Sequence, residues 1–336
     1  MALKKIDFKL IAMAIALIFF IILPFINGTM YWQRLIMSLF LFIPVVIGCT
    51  IMARMGALHA AQGAFMSIGA YTVAILTKNY GMNFWLVLLI SIVVTGIIAM
   101  CVGFPALRVT GPYFVFMTWG LNQLVMSIWI KAETISNGVR GIDNIPRPSN
   151  IGGISFNSPT AIYYLGLVLM VVCTIILFIL YKSHFGLAMS SIGQNHILSE
   201  SLGINVMAVK VKAFVTVSIV ASVMGGYFAI MQTYITPSDF GVWNSFNYVI
   251  FSIVGGIGSF VGAIYSSVVL TFFPIAMQYI PGWNPFYKPI VYGIFVLFVV
   301  MVYPRGIVGL VENAGKGIER IFTRNKKLVT DDIKSK

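Results

Sequence analysis

Ser183–Val206 (SHFGLAMSSIGQNHILSESLGINV) separates two long apolar stretches, Ala161–Tyr181 and Ala213–Gln232. Each stretch is about as long as a helix that crosses a bilayer, which takes roughly 20 residues. The segment between them carries too many polar side chains to lie in lipid. The sequence therefore predicts two membrane spans joined by a polar loop that lies outside the membrane.

The polar loop contains the pattern of a short amphipathic helix. Ile197, Leu198 and Leu202 fall on one face of such a helix. Asn195 can cap its beginning, and Gly203 can end it in a left-handed conformation. A helix of this kind suits docking into a groove on a soluble partner. The alternative is a helix that rests on the membrane surface.

Composition places the whole chain in the membrane class. Hydrophobic residues make up 59% of the 336 residues and charged residues only 9%, with a mean hydropathy of +0.95. No soluble domain is left over, so we expect an all-α polytopic membrane protein. The candidate spans are Leu10–Ile26, Leu35–Met52, Ala57–Leu76, Phe84–Val102, Tyr113–Ile130, Ala161–Tyr181, Ala213–Gln232, Phe246–Phe273 and Pro289–Tyr303.

Two of these spans do not fit a simple helix. Ala57–Leu76 is the least hydrophobic, because it contains His59 and Gln62 together with several glycines. Phe246–Phe273 is too long for one crossing and has three glycines near its middle, which predict a helix break. These are Gly255, Gly256 and Gly258.

The charges at the two ends of the chain constrain the topology. Both ends are rich in lysine and arginine, so the positive-inside rule places both termini in the cytoplasm and requires an even number of crossings. Splitting Phe246–Phe273 gives ten crossings and a cytoplasmic loop at 183–206. Making Ala57–Leu76 re-entrant gives eight and moves that loop outside. The lysine and arginine counts are equal for the two topologies. Leu10–Ile26 is expected to be a retained helix.

The chain has no energy source of its own. No Asp, Glu, Lys or Arg falls within a proposed span, whereas ion-coupled carriers keep ionisable groups at membrane depth. No phosphate-binding loop, metal cluster or catalytic dyad is present, so we expect neither an enzyme nor a bound cofactor. The net charge of +13 suits contact with anionic lipids, and nucleic acid is not an expected partner.

Polar residues within the spans are candidates for lining a translocation pathway. Thr118 and Asn122 are four residues apart and share a helix face, whereas Gln123 points away from them. Interhelical hydrogen bonding is the alternative role for every candidate. The candidates are Gln62, His59, Tyr113, Thr118 and Asn122.

Several blocks, taken in order, resemble the LivM-type permease subunit of branched-chain amino acid ABC importers. The most specific are GALHAAQGAFMSIGAY, PALRVTGPYF and the segment that holds Glu200, Leu202 and Gly203. The blocks are Gly56–Tyr71, Pro105–Phe114, Asn137–Pro146, Phe185–Ala213, Thr236–Phe240, Gly255–Gly262 and Pro304–Leu310.

The resemblance implies an importer permease with ten crossings and a cytoplasmic loop at 183–206. In this family that loop docks on the ATPase, so Asn195, Ile197, Leu198, Glu200, Leu202 and Gly203 would form the coupling element. The sequence departs from the common pattern at Ser199 and Ser201, where alanine is usual, and at Gln194 and His196, where charged residues are frequent. These changes would alter the choice of ATPase more than the mechanism.

The same resemblance implies partners and a location. We expect a second, related permease subunit, two ATPase subunits that bind ATP and Mg²⁺, and a substrate-binding protein that lands on the external loop 132–159. Residues 1–310 would form one permease domain in the bacterial cytoplasmic membrane, and 311–336 a basic cytoplasmic tail. An importer of urea or short-chain amides shares the same blocks. An ion-coupled carrier or a passive channel is the alternative from another class.

Overall fold

The computed structural model describes residues 30–150, 155–279, 284–303 and 306–309, together with positions 20, 21, 23, 24 and 153. Most of the predicted span Leu10–Ile26 and all of the tail 311–336 lie outside the described residues. Within the described part the chain is helical, apart from connections and one isolated antiparallel bridge between Ile142 and Ile235. A helix satisfies its own backbone hydrogen bonds, which lipid cannot do.

The described helices are numbered here in chain order. They are α1 (Met30–Arg54), α2 (Gln62–Tyr80), α3 (Phe84–Ala106), α4 (Pro112–Lys131), α5 (Glu133–Ser136), α6 (Pro159–Lys182), α7 (His184–Gln194), α8 (His196–Ser201), α9 (Val206–Gln232), α10 (Val242–Gly255), α11 (Phe260–Gln278) and α12 (Lys288–Val302). Single turns of 3₁₀ helix occur at Gly138–Arg140, Pro237–Phe240 and Pro285–Tyr287.

Six described helices, α1, α3, α4, α6, α9 and α11, are long and apolar enough to cross a membrane. The chain is thus a polytopic membrane protein. Helix α2 has 19 residues but a more polar composition, and most of its side chains are buried. Helices α10 and α12 are shorter, at 14 and 15 residues. The prediction of ten crossings with both termini inside remains a prediction.

Two predicted spans differ from the observed helices. Residues 57–61 are not helical, and α2 begins only at Gln62. Phe246–Phe273 is not one helix, because α10 ends at Gly255 and α11 begins at Phe260. Gly256 and Gly258 between them have positive φ angles of 108° and 78°, which favour glycine.

Helix α9 is the centre of the bundle and lies against α1, α2 and α3. It approaches α2 through glycine on both sides: a Cβ on Gly69 would overlap the carbonyl of Ser222, and a Cβ on Gly225 would overlap the carbonyl of Met66. The hydroxyl of Thr95 on α3 donates to Oγ of Ser222 at 2.8 Å. Small residues allow the backbones to come close where hydrophobic packing alone gives no preference over lipid.

The polar loops at 132–159 and 183–206 lie at opposite ends of the bundle. At one end, Arg54 donates to the carbonyl of Tyr181 at 3.3 Å, and Tyr181 donates to the carbonyl of Gly258 at 3.0 Å. At the other end, Lys78 pairs with Asp143 at 2.6 Å, and this hydrogen bond and charge lower the pKa of Asp143. Residues 55–80 therefore connect the two ends and do not turn back as a re-entrant segment would.

We predict that Gly225→Leu destabilises the bundle, because its side chain has no room beside Met66. Overpacking of this kind costs about 1–3 kcal/mol or more. Thermal unfolding of the purified protein in detergent measures the effect. Gly293→Leu on α12 is the matched control, since a Cβ there has nothing within 4 Å. Equal unfolding temperatures for the two variants would contradict the close approach of α2 and α9.

Candidate functional site

The loop at 183–206 contains two helices, α7 and α8, where the sequence predicted one. In α7 the buried residues are Gly186, Met189 and Ile192, at a spacing of three. That spacing could have indicated α7 from the sequence, because residues three apart lie on one face of a helix. Helix α7 lies between the end of α6 and the start of α8, so it carries α8 away from the membrane span.

Helix α8 is closed at both ends by hydrogen bonds. Oδ1 of Asn195 accepts from the backbone N–H of Leu198 at 3.0 Å. At the other end, Gly203 has a φ of 81° and its N–H donates to the carbonyl of Glu200 at 2.9 Å, while the N–H of Ile204 donates to that of Ser199 at 3.1 Å. This pair of bonds is a Schellman motif. The six-residue helix is therefore held by its own caps.

The apolar residues of α8 are exposed. The exposed fractions of Ile197, Leu198 and Leu202 are 75%, 57% and 70%. Glu200 lies beside them, and its Oε1 is 3.8 Å from Nε2 of His196. A group of exposed aliphatic side chains on one short helix indicates a surface for another protein or for lipid. We call Ile197, Leu198 and Leu202 the apolar face of α8.

The opposite side of α8 is fixed to the bundle through Ser199, which is fully buried. Oγ of Ser199 donates to the carbonyl of Asn195 at 2.8 Å and lies 2.9 Å from Oγ of Ser191 on α7. Gly193 lies against the carbonyl of Arg54, where any Cβ would overlap it. Helix α8 is thus bonded to α7 through Ser199, and α7 in turn lies against the end of α1. From the sequence, Ser199 was recognisable only as a departure from the alanine that is usual there.

A buried polar network lies half-way along the bundle. The backbone N–H of Gly63 donates to Oγ of Ser245 at 2.9 Å, and Ser245 donates to Oδ1 of Asn122 at 3.0 Å. Nδ2 of Asn122 donates to the carbonyl of Phe240 at 3.1 Å, and Oγ1 of Thr118 accepts from the N–H of Ala60 at 3.2 Å. Thr118 and Asn122 share a face of α4, but that face is buried. In this structure Asn122 bonds to α10 and to the 3₁₀ turn that precedes it, whereas Thr118 bonds to the non-helical connection before α2.

Gln62 and His59 lie in the same interior region and are also fully buried. Among the described residues, neither amide atom of Gln62 nor Nε2 of His59 has a hydrogen-bond partner. The His59 ring packs against Phe214, with centroids 4.7 Å apart, and Sγ of Cys49 donates to the carbonyl of His59 at 3.6 Å. Tyr113, by contrast, is 74% exposed. The structure therefore does not bring the five pathway candidates to one surface.

An open groove of about 1060 Å³ runs between the exposed side of α4 and the start of α10. Four aromatic side chains and several aliphatic ones line it together with three polar side chains. The aromatic residues are Phe116, Trp119, Trp243 and Phe246, and the polar ones are Gln123, Ser238 and Asn244. Gln123 was predicted from the sequence to point away from Thr118 and Asn122, but no groove was predicted. The aromatic residues on the side of α4 opposite Thr118 were the feature of the sequence that could have indicated the groove.

The helix break lies at the same end of the bundle as α8. Gly255 and Gly262 approach each other so closely that a Cβ on either would overlap the backbone of the other. Gly258 lies near Arg54 and accepts from Tyr181. In the described part of the chain no three His, Cys, Asp or Glu residues lie close enough together to hold a metal ion.

These features define a class: a multi-pass helical membrane protein with an interrupted helix and a short capped helix whose apolar residues are exposed. Residues 31–300 match the family described as the permease component of the branched-chain amino acid transport system, and the chain belongs to that family. No solved structure matches the chain significantly.

Two curated relatives carry the same printed name, "High-affinity branched-chain amino acid transport system permease protein LivM". The one from Salmonella typhimurium is 27% identical over 285 residues, and the one from Escherichia coli is 26% identical over 285 residues. Each alignment covers 78% of this chain and 65% of the relative. The chain thus spans less than two thirds of the length of these relatives.

We predict that Ser245→Ala destabilises the protein by about 1–3 kcal/mol, because it leaves the N–H of Gly63 without an acceptor in the interior. Thermal unfolding in detergent is the measurement. Ser238→Ala removes an exposed hydroxyl on the same stretch of chain and should leave the unfolding temperature nearly unchanged. If Ser245→Ala unfolds at the temperature of Ser238→Ala, the buried network does not hold α2 and α10 together.

Proposed function

We propose that the chain is a transmembrane permease subunit of an ATP-binding-cassette importer that moves branched-chain amino acids inward. Membership in the permease family supports this function, and so does the printed name of the relatives. The observation that carries the mechanism is α8, whose apolar face is exposed while its other side is fixed to the bundle. An element of this kind passes a displacement from a soluble partner to the membrane helices.

In this proposal the loop 183–206 is cytoplasmic, and the chain crosses the bacterial cytoplasmic membrane ten times with both termini inside. Two partner ATPase subunits bind ATP and Mg²⁺ and receive the apolar face of α8 in a cleft. A substrate-binding protein lands on the loop 132–159, which the pair of Lys78 and Asp143 fastens to the end of α2. The chain itself binds no nucleotide and catalyses no reaction.

The groove along α4 is the proposed wall of the translocation pathway. It is open on one side, so a second, related permease subunit is needed to close it. Its aromatic side chains suit the aliphatic part of leucine, isoleucine or valine, whereas Gln123 and Asn244 provide a few polar contacts. In the described part of the groove no charged side chain is available to clamp an amino acid, so affinity would reside in the separate binding protein.

Uptake into membrane vesicles tests the function and the substrate together. Vesicles that contain the chain, its co-purifying ATPases and the binding protein are supplied with ATP and with labelled leucine or labelled urea. ATP-dependent leucine uptake is the expected result. Urea uptake instead would keep the mechanism and change the substrate. ATP-independent uptake would indicate an ion-coupled carrier or a channel.

We predict that Leu198→Asp abolishes co-purification of the ATPases and lowers substrate-stimulated ATP hydrolysis by roughly tenfold or more. The reason is the cost of burying an unpaired carboxylate in the ATPase cleft. Leu187→Asp on α7 is the matched control, since Leu187 is 64% exposed in the same loop but lies outside α8. Equal losses in both variants, or in neither, would contradict a specific docking role for α8.

The groove yields a separate prediction from two neighbouring positions on α4. Gln123→Ala should lower the rate of leucine uptake several-fold without affecting assembly with the ATPases, because Gln123 lines the groove. Leu124→Ala should have little effect, because Leu124 is 56% exposed but does not line the groove. The measurement is initial uptake at matched protein levels, and unchanged uptake in Gln123→Ala would place the pathway elsewhere.

A further inference from the structure

Arg54 is the last residue of α1, at the end of the bundle that carries α7 and α8. Arginine side chains at helix ends commonly extend toward water or headgroups. The half-buried guanidinium of Arg54 instead lies over the ring of Tyr181, with Cζ 4.2 Å from the ring centroid, and Nη1 donates to the carbonyl of the same residue at 3.3 Å. A planar guanidinium can stack and donate at the same time, unlike a lysine ammonium. In the described part of the chain no carboxylate lies within ion-pair distance of Arg54.

Tyr181 lies one residue before the end of α6 and bonds to the helix break between α10 and α11. Its hydroxyl donates to the carbonyl of Gly258 at 3.0 Å, and its ring centroid is 5.4 Å from that of Phe260, the first residue of α11. Gly258 also borders Arg54 directly, since a Cβ there would lie 3.5 Å from Cβ and Cγ of Arg54. The ends of α1 and α6 and the helix break thus meet at one point.

The loop 183–206 contacts the same point. On α7, Gly193 lies so close to Arg54 that a Cβ would overlap the carbonyl oxygen of Arg54. Helix α7 is in turn bonded to α8 through the hydroxyls of Ser191 and Ser199, which are 2.9 Å apart. One helix therefore separates α8 from Arg54.

Helix α10 leads from the break to the groove along α4. Its last residue, Gly255, borders the break, and its first turn, with Trp243 and Asn244, lines the groove. A helix of 14 residues is a short rod of about 20 Å. The break and one wall of the groove are thus the two ends of one helix.

We propose that Arg54 and Tyr181 are positioning residues, which form with Gly258 a joint that couples α7 and α8 to the helix break and, through α10, to the groove. That this joint serves transport rests on the proposed function. Neither Arg54 nor Tyr181 lines the groove, so both act through other residues. Coupling through the joint means that a change on α7 alters the break, and that this effect depends on Tyr181.

Hydrogen–deuterium exchange of the full chain in phosphatidylcholine nanodiscs tests the joint without any partner. The perturbation is Gly193→Ala on α7, and the readout is the exchange rate of the segment 256–262, which contains the break. We expect a change of about threefold or more, as for residues that belong to one network. Tyr181→Phe keeps the ring but removes the bond to Gly258. In this background Gly193→Ala should lose most of its effect on the break.

Tyr164→Phe is the matched background, because Tyr164 lies near the start of the same helix and its hydroxyl also donates to a backbone carbonyl at 3.0 Å, that of Ile21. There Gly193→Ala should act as in the unmodified chain. An equal effect of Gly193→Ala in the two tyrosine backgrounds would overturn the proposal. An unchanged exchange rate at 256–262 in Gly193→Ala alone would overturn it as well.

The vesicle assay tests the link to transport, as labelled leucine taken up per ATP hydrolysed. Tyr181→Phe should retain the ATPases and lower this ratio several-fold, because hydrolysis continues while the groove wall responds less. Tyr164→Phe should leave the ratio unchanged. A purely structural role would lower uptake and hydrolysis together, and equal ratios in the two variants would refute the role in transport.

The two proposals fail separately. If the unmodified chain shows no ATP-dependent uptake, the proposed function is wrong, whereas the exchange rates at 256–262 still decide whether the joint couples α7 to the break. If uptake is ATP-dependent but Gly193→Ala leaves the break unchanged, the importer remains and the joint is refuted.

Discussion

The hydrogen bond from the backbone N–H of Gly63 to Oγ of Ser245 is the interaction on which the architecture depends. It joins the starts of α2 and α10 inside the bundle, at 2.9 Å. A helix start leaves backbone N–H groups unsatisfied, and the membrane interior offers no water to satisfy them. Ser245 in turn donates a hydrogen bond to Asn122, and Asn122 donates one to the carbonyl of Phe240. Helices can therefore begin in the interior here, which elsewhere in a membrane would be costly.

The position at which α10 begins also shapes the surface of the protein. Because α10 begins within the bundle, its first turn, with Trp243 and Asn244, forms one side of the groove and the exposed side of α4 forms the other. The buried face of α4 holds the network through Thr118 and Asn122. One helix thus separates the structural polar groups from the groove. A continuous helix in place of Pro237–Gly255 would leave no such wall.

Features that depend on a few neighbouring residues could be predicted from the sequence. The cap at Asn195, the left-handed Gly203 and the glycines at 255–258 follow from local backbone chemistry, and the structure has each of these features at these positions. The direction in which a polar side chain faces could not be predicted in this way. From the sequence alone, Gln62 and Asn122 are candidates for the pathway and for interhelical hydrogen bonds, and only the packing partners of α2 and α4 distinguish the two roles.

The predicted start of the α2 span, at Ala57, was wrong for a related reason. Residues 57–61 contain alanine, leucine and histidine, which are compatible with a helix, and nothing in their own sequence excludes one. Their conformation is set by Thr118 and by the packing of His59 against Phe214, both distant in sequence. Likewise, Trp119 is one more aromatic residue in an apolar span, and only the position of α10 makes it part of a groove.

Ser199 shows how a small departure from a family pattern acquires a physical role. The sequence resemblance leads one to expect alanine there, which could pack in the same buried position but could not bond to Ser191. In this chain the hydroxyl lies 2.9 Å from that of Ser191 and bonds back to Asn195. It therefore ties α8 to α7 and to its own cap. The proposed coupling role of α8 requires this helix to move as one body with the bundle, and a hydrogen bond on its buried side would serve that requirement without touching the partner.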